Sequence, residues 1–272
     1  MGSGRQLIIA ALALAAASAI MPAGAHAAAC GDTGAGFDAW KKQFAREAQA
    51  QGVKARGLSA LAGTQYSTAT IKADRGQKSF KLSLEDFMKK RGADTIVARG
   101  KKLKAQNAAF FAGLEKRYGV PAGPLIAIWG METAFGNYMG TQNILSAVAT
   151  LAYDCRRPEY FTDQLLAALK LVDMGVLSPQ AVGAMHGEIG QTQFLPKNVI
   201  LYGVDGNGDG REDLTKMADA LASTANFLKG HGWVRGQGYQ PGEPNFVAIQ
   251  GWNAASVYQQ AIAIMGKRID GK

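Results

Sequence analysis

Glu132 is the residue best placed to do chemistry. It lies in Gly119-Val120-Pro121-Ala122-Gly123-Pro124-Leu125-Ile126-Ala127-Ile128-Trp129-Gly130-Met131-Glu132-Thr133-Ala134-Phe135-Gly136. The prolines and the apolar spacing predict a helix that sets Leu125, Ile128, Trp129 and Glu132 on one face. Burial disfavours the charged form of a carboxyl group. A carboxylic acid still protonated near neutral pH can donate its proton to a leaving group. On the helix alone a structural reading stays open: a Glu paired with an Arg or Lys, or one turned to solvent.

A second group of residues has the spacing of a metal loop. Asp205-Gly206-Asn207-Gly208-Asp209-Gly210-Arg211-Glu212-Asp213 matches the first nine positions of an EF-hand loop. Side-chain oxygens at positions 1, 3 and 5 converge on a cation, the glycine at 6 permits the turn, and position 7 offers its carbonyl. The match breaks at position 12, which is Lys216 rather than Glu. A metal-free, Asx-rich turn is the alternative. His186 and His231 form no zinc pattern, and neither a phosphate loop nor G-x-S-x-G occurs.

The N-terminus reads as a secretory signal over residues 1–27. Arg5 precedes an apolar run from Leu7 to Ile20, followed by Ala25-His26-Ala27 as a cleavage site. The run is short for a membrane span, so membrane association is not expected once the signal is removed. A lipid on Cys30 is conceivable, although Ala27 stands where a lipobox carries a larger apolar residue. The expected address is periplasmic or secreted, with residues 28–272 forming the mature domain. The chain has 272 residues and a formal charge of +9. Secretion and the lack of a basic run interleaved with aromatics argue against nucleic acid. An anionic wall polymer fits both charge and address. In an oxidising compartment the two cysteines, Cys30 and Cys155, invite a disulfide, with two buried thiols as the alternative.

The elements that must position these residues are mainly helical. Helical patterns run over 37–51, 58–61, 82–90, 93–118, 161–172, 219–229 and 254–267. Asn245 to Ile249 is the best strand signal, and Gly230 to Gly242 reads as a surface loop. No repeat or low-complexity tail is present.

Six segments, taken together, resemble the lytic murein transglycosylase B family, soluble or lipid-anchored enzymes that cut peptidoglycan glycan strands. They are Asp74-Arg75-Gly76-Gln77-Lys78-Ser79-Phe80, Tyr118 to Gly136, Cys155-Arg156-Arg157-Pro158-Glu159-Tyr160-Phe161, Gly187 to Pro196, Asp205 to Leu214, and Trp252-Asn253 with Tyr258. They occur in family order from about residue 70 to 260. The resemblance implies a mainly α, lysozyme-like core with little β structure and an EF-hand-like loop over 205–219.

It also implies roles. Glycoside cleavage normally uses two carboxyl groups, and Glu188 is the only other carboxylate in a distinctive motif. The family instead uses one Glu, here Glu132, as acid and then base. The bond between N-acetylmuramic acid and N-acetylglucosamine is cut with formation of a 1,6-anhydro sugar. Gln193 would hydrogen-bond a sugar or acetamido group. Arg156 and Arg157 would meet carboxylates of the substrate, with Tyr160 beside them. Asn253 and Tyr258 would line the cleft, although Asn253 could simply cap the last helix. The family's longer loop adds Asp219 to Asp205, Asn207, Asp209 and the Arg211 carbonyl as calcium ligands. The chain departs from the usual pattern at Ala184-Met185-His186, where Ser or Ala followed by Trp-Ala is commoner. Two rival readings remain: a muramidase using water as acceptor, and a non-catalytic wall-binding or calcium-stabilised scaffold.

Overall fold

The computed structural model describes residues 29–76 and 82–271. The proposed signal over 1–27 and the stretch Gln77 to Phe80 lie outside them. The helices run α1 Phe37–Ala50, α2 Ala55–Ala62, α3 Thr68–Gly76, α4 Leu84–Arg91, α5 Ala93–Gln106, α6 Ala108–Tyr118, α7 Ala122–Thr133, α8 Ile144–Tyr153, α9 Pro158–Met174, α10 Pro196–Tyr202, α11 Met217–Gly230, α12 Phe246–Trp252 and α13 Ser256–Asp270. The only strands among the described residues are β1 (Gln142–Asn143) and β2 (Val182–Gly183), paired antiparallel. The mainly α expectation holds.

Helix α7 is the axis of the molecule. All of its residues except Glu132 are buried, so it has no solvent face. This corrects the one-sided stripe read from the sequence: a helix apolar all round is a core helix. It packs on α13, α5, α6 and α11. The crossing with α13 is close because both helices carry glycine there. A Cβ on Gly123 would stand 2.2 Å from the Gly266 carbonyl oxygen. Pro121 offers no side-chain cap to α7. Asp270, from the last turn of α13, accepts instead from the Gly123 N–H at 2.9 Å. A carboxylate at a helix N-terminus also meets the positive end of the dipole. Lys104 and the Tyr239 hydroxyl hold Asp270 in place at 3.0 and 2.7 Å.

A second layer is built on α8, whose ten residues are all buried, covered by α9, α2 and α3. Phe37, Trp40 and Tyr66 close it with edge and stacked contacts around Tyr153. Cys30 and Cys155 are bonded and tie the N-terminal segment to the turn after α8.

Two expectations fail for local reasons. The helix expected over 93–118 breaks at Asn107, whose side chain donates to the Leu103 carbonyl at 3.0 Å. Asparagine readily offers the backbone such a bond in place of the next helical turn. The strand expected at 245–249 is helix α12. Asn245 is buried and bonds Val234 N–H, Val234 O and Gln237 O, gathering the 230–242 loop before the helix starts. That short apolar run has the length of a strand, and length was all that separated the two readings.

The disulfide closes a long loop, with a sequence separation of 125 residues. Replacing both cysteines by serine should therefore destabilise the fold by about 3–5 kcal/mol. Thermal melts of the oxidised protein and the double variant test this; matched midpoints would show that the bond contributes nothing.

Candidate active site

Glu132 sits in the last turn of α7, where the chain must reverse. Ala134, Phe135 and Gly136 take φ values of 49°, 64° and 81°. Two non-glycine residues in the left-handed region mark a backbone held by its surroundings. Phe135 is buried edge-on against Trp129, with Arg99 over its ring. The Thr133 hydroxyl donates to the Gln191 carbonyl at 2.6 Å and accepts from Gly136 N–H at 2.9 Å. The Gln191 side chain accepts from Trp129 Nε1 at 2.8 Å and donates to the Thr215 carbonyl at 2.7 Å. A Cβ at Gly136 would lie 2.6 Å from Gln191 Oε1, so this position needs glycine for space as well as for φ.

Gln191 thereby staples the 187–196 turn to α7. Ile189 and Phe194 exchange backbone hydrogen bonds at 2.8 and 3.0 Å across that turn. Gln193, at φ 59°, donates to the Gly190 carbonyl at 2.8 Å.

The Glu132 carboxyl is fixed from behind. Tyr258 Oη and Trp252 Nε1 both donate to Oε1, at 2.6 and 3.0 Å. Oε2 carries no protein hydrogen bond among the described residues. Burial pushes the Glu132 carboxyl above the ordinary carboxylate range. The Tyr258 and Trp252 donors oppose that, the Glu188 charge adds to it, and Arg91 opposes it; the net direction is up. The Tyr258 hydroxyl is itself pushed well up by burial and by the Glu132 charge, so it stays a donor. This corrects the expected place of Tyr258. It is 3% exposed and packed on Phe87, so it holds the carboxyl from the protein side and does not line the cleft.

In front of Glu132 lies a cavity of about 210 Å³, lined by Glu188, Gln193, Leu195, Asn198, Trp252 and Asn253 among others. A wider outer cavity of about 520 Å³ continues it, sharing Glu188, Leu195 and Asn253 and adding Arg157, Tyr160 and His186. Together they form a cleft of the kind an extended chain of sugars would need. Tyr160, 48% exposed, stands at its outer part. Asn253 lines the cleft and does not cap α13, whose N-cap is Ala255; its Oδ1 accepts from Ala255 N–H at 2.9 Å and shapes the turn before the helix.

Residues 36–243 match the family described as Transglycosylase SLT domain. The chain belongs to that family. It is 39% identical over 137 residues to the membrane-bound lytic murein transglycosylase B of Escherichia coli, a stretch that takes in 47% of this chain and 38% of that protein. The chain thus spans under two fifths of that curated relative. Two crystal structures of SltB3 from Pseudomonas aeruginosa, one with NAG-NAM-pentapeptide and one with NAG-anhNAM-pentapeptide, are 31% identical. They superpose with TM-scores of 0.80 and 0.79, over 87% and 86% of this chain and 80% of theirs. The fold is the lysozyme-like one of these lytic transglycosylases.

The transglycosylase match ends at residue 243, so Trp252 and Tyr258 lie outside it. Trp252, Gln191 and Asp74 make contacts that hold the site together and were not singled out from the sequence, although each stands in a segment carrying the family resemblance. Asp74, 4% exposed, is where the paired arginines go. Arg156 donates to the Asp74 carbonyl at 3.0 Å and meets its carboxylate at 3.1 Å, Arg157 bonds the same carboxylate, and Arg75 meets it at 3.2 Å. Arg75 also grips buried Asp154 with two bonds of 2.6 and 2.9 Å, which hold that carboxyl below its usual range. Arg156 and Arg157 are therefore engaged with Asp74, and Arg157 alone of the pair also lines the outer cavity.

The 205–213 segment forms a loop closed by hydrogen bonds. Asp205 accepts from the N–H groups of Gly208, Asp209 and Gly210, and those bonds, Gly210's first, hold its carboxyl below the usual range. Asn207 Oδ1 accepts from Asp209 N–H, and Arg211 N–H bonds Asp209. Buried Asp219 accepts from Gly206, Asn207 and Asp213 N–H at 2.9, 3.2 and 2.9 Å, tying α11 to the loop. Among the described residues no three of His, Cys, Asp and Glu converge as a ready metal cluster.

Tyr258→Phe removes a donor that favours the Glu132 carboxylate, so the Glu132 proton should leave at higher pH than in the wild type. The alkaline limb of the pH–rate profile should move up, with the acid step preserved. A limb that stayed in place would show that the hydroxyl does not govern the proton.

Proposed function

We propose that the chain is a lytic transglycosylase cutting the β-1,4 bond between N-acetylmuramic acid and N-acetylglucosamine, with Glu132 as acid and then base. The observation that carries this reading is the asymmetric Glu132 carboxyl. Its Oε1 is held by Tyr258 and Trp252, Oε2 is left for substrate, and the group is biased toward keeping its proton. The ligands named for the SltB3 crystals support the same substrate class and product.

Glu132 gives its proton to the glycosidic oxygen as the C1–O bond breaks and positive charge develops at C1. The carboxylate left behind is stabilised by the two donors already on Oε1, so no reorganisation is needed at that moment. It then takes the proton of the muramoyl C6 hydroxyl, whose oxygen attacks C1. The sugar closes as a 1,6-anhydro ring, Glu132 regains a proton, and no water is consumed. One group serves both steps because burial raises its hold on the proton, while the donors on Oε1 keep the carboxylate accessible as the base. Gln193 and Asn253 line the cavity beside Glu132 and would bond sugar groups. Arg157 and Tyr160 would face the substrate's peptide or lactyl carboxylate farther out. For location we read a periplasmic or secreted enzyme; no helix among the described residues is long and apolar enough to cross a membrane.

The donor set of the 205–219 loop is all oxygen, which fits a hard cation such as calcium. Asp205, Asn207, Asp209, Asp219 and the Arg211 carbonyl would hold it. The ion would stabilise the fold, and the acid–base work would remain with Glu132.

Glu132→Gln should melt with the wild type and release no fragments from purified sacculi, since an amide neither gives nor accepts the proton. Turnover within tenfold of wild type would sink the assignment. Mass spectrometry of wild-type products should show anhydro-muramoyl ends; reducing ends would establish the muramidase instead.

Calcium should raise the melting temperature, because a ligand bound only by the native state stabilises it by mass action. Asp205→Ala should abolish that shift while activity at low temperature persists. Calorimetry with and without chelator checks both. No shift in the wild type would mean a metal-free turn, and immediate loss of activity on chelation would place the ion at the chemistry.

A further inference from the structure

A second carboxylate lines the inner cavity, and the single-acid mechanism gives it no task. Glu188 faces the same 210 Å³ space as Glu132. It is held in a defined geometry. His186 N–H donates to Oε2 at 3.0 Å, and the His186 ring Nδ1 lies 3.2 Å from Oε1. The other ring nitrogen, Nε2, is 3.8 Å from the Asp74 carboxylate. That carboxylate is in turn clamped by Arg75, Arg156 and Arg157. The result is a chain running from three guanidinium groups through Asp74 and His186 to Glu188. It ends at Glu188, in the wall of the cavity that Glu132 also lines.

We propose that Glu188 is the fixed anionic partner of Glu132, kept ionised by His186 from behind, and that its charge helps hold the proton on Glu132 until the glycosidic oxygen takes it. This rests on the role given to Glu132 above. Glu188 acts through Glu132 and is a positioning residue for the proton. The physics is that of two carboxyl groups sharing one site: like charges nearby cannot both ionise freely, so one is driven toward the neutral acid. Here the environment selects which. Burial raises the Glu188 carboxyl, but the His186 hydrogen bond and charge outweigh it and leave the group lowered. Glu132 has no histidine partner in contact and is raised, chiefly by burial, with Glu188 adding to it.

The charged and titratable groups around the pair are few. Glu132 meets Tyr258 from α13 and Trp252 from α12, and feels Arg91 from α4. Glu188 meets His186 from its own turn, with Arg157, just before α9, and Tyr160 from α9 lining the outer cavity. Of these, only Glu188 adds a negative charge beside Glu132.

A chain with an apolar residue in place of His186 would lack the group that stabilises Glu188 as an anion. On this reading, His186 and Glu188 function as a unit.

The test reads the proton directly and needs no substrate. Carbon-13 carboxyl NMR follows Glu132 through a pH titration, its signal assigned by loss in Glu132→Gln. In Glu188→Gln the Glu132 titration should move measurably down, because a like charge lining the same cavity has been removed. The alkaline limb of kcat should move down with it, opposite in sign to Tyr258→Phe. His186→Gln should raise the Glu188 titration, and it keeps the proposal testable if Glu188→Gln does not fold. A Glu132 titration unchanged in Glu188→Gln, or a Glu188 titration unchanged in His186→Gln, would overturn the proposal. Because the NMR arm holds whatever the products are, wild-type fragments with reducing ends would refute the transglycosylase reading without touching this one.

Discussion

A carboxyl group at the end of a helix buried on every side must find its partners within the core. Glu132 finds them on two other helices: Tyr258 Oη from α13 and Trp252 Nε1 at the end of α12 converge on one oxygen. That convergence depends on how closely α7 and α13 cross, which in turn depends on Gly123 and Gly266 having no side chains. Asp270 then fixes the register by capping α7 from the far end of α13. One crossing therefore sets both the depth of the acid and the position of its donors. Neither can shift without the other.

The rest of the site is assembled against that crossing from separate parts of the chain. The 187–196 turn is attached through Gln191, which bonds Trp129 and Thr215 while Thr133 bonds its carbonyl. The turn after α8 is attached through Asp74 and the arginines, with the Cys30–Cys155 bond beside it. These polar contacts join segments that the apolar core alone would leave free to slide. Each buried carboxylate in them is matched by donors, as burial requires.

Glu132 stood out in the sequence as a lone carboxyl in an apolar, proline-started helix, and the ordered family segments around it settled the choice that the helix alone left open. The helices over 37–51, 161–172 and 219–229 were legible because their periodicity is strong. What was not legible depended on partners distant in sequence. Nothing near Tyr258 says whether its hydroxyl points into the cleft or at Glu132. Adjacent Arg156 and Arg157 look the same whether they await a substrate carboxylate or hold Asp74, some eighty residues earlier. The break at Asn107 and the helix at Phe246–Trp252 were missed because one side-chain hydrogen bond outweighed a weak local preference. Helix α8 is buried throughout, and its short apolar run was not read as a helix.

The left-handed reversal after Glu132 has a consequence for how such a site can vary over time. Gly136 is shut in by Gln191, and Gln191 is bonded to three other positions, so these residues do no bond-making yet tolerate little drift. A side chain at Gly136 would have to displace the Gln191 side chain, release its bonds to Trp129 and Thr215, and be accommodated at a positive φ. Substitution there is possible only as a coordinated set, through intermediates that lose the geometry. By contrast, residues facing the open cleft, such as Tyr160 and Leu195, can change one at a time. Positions along the cleft can therefore change singly, while the scaffold behind Glu132 can change only as a block.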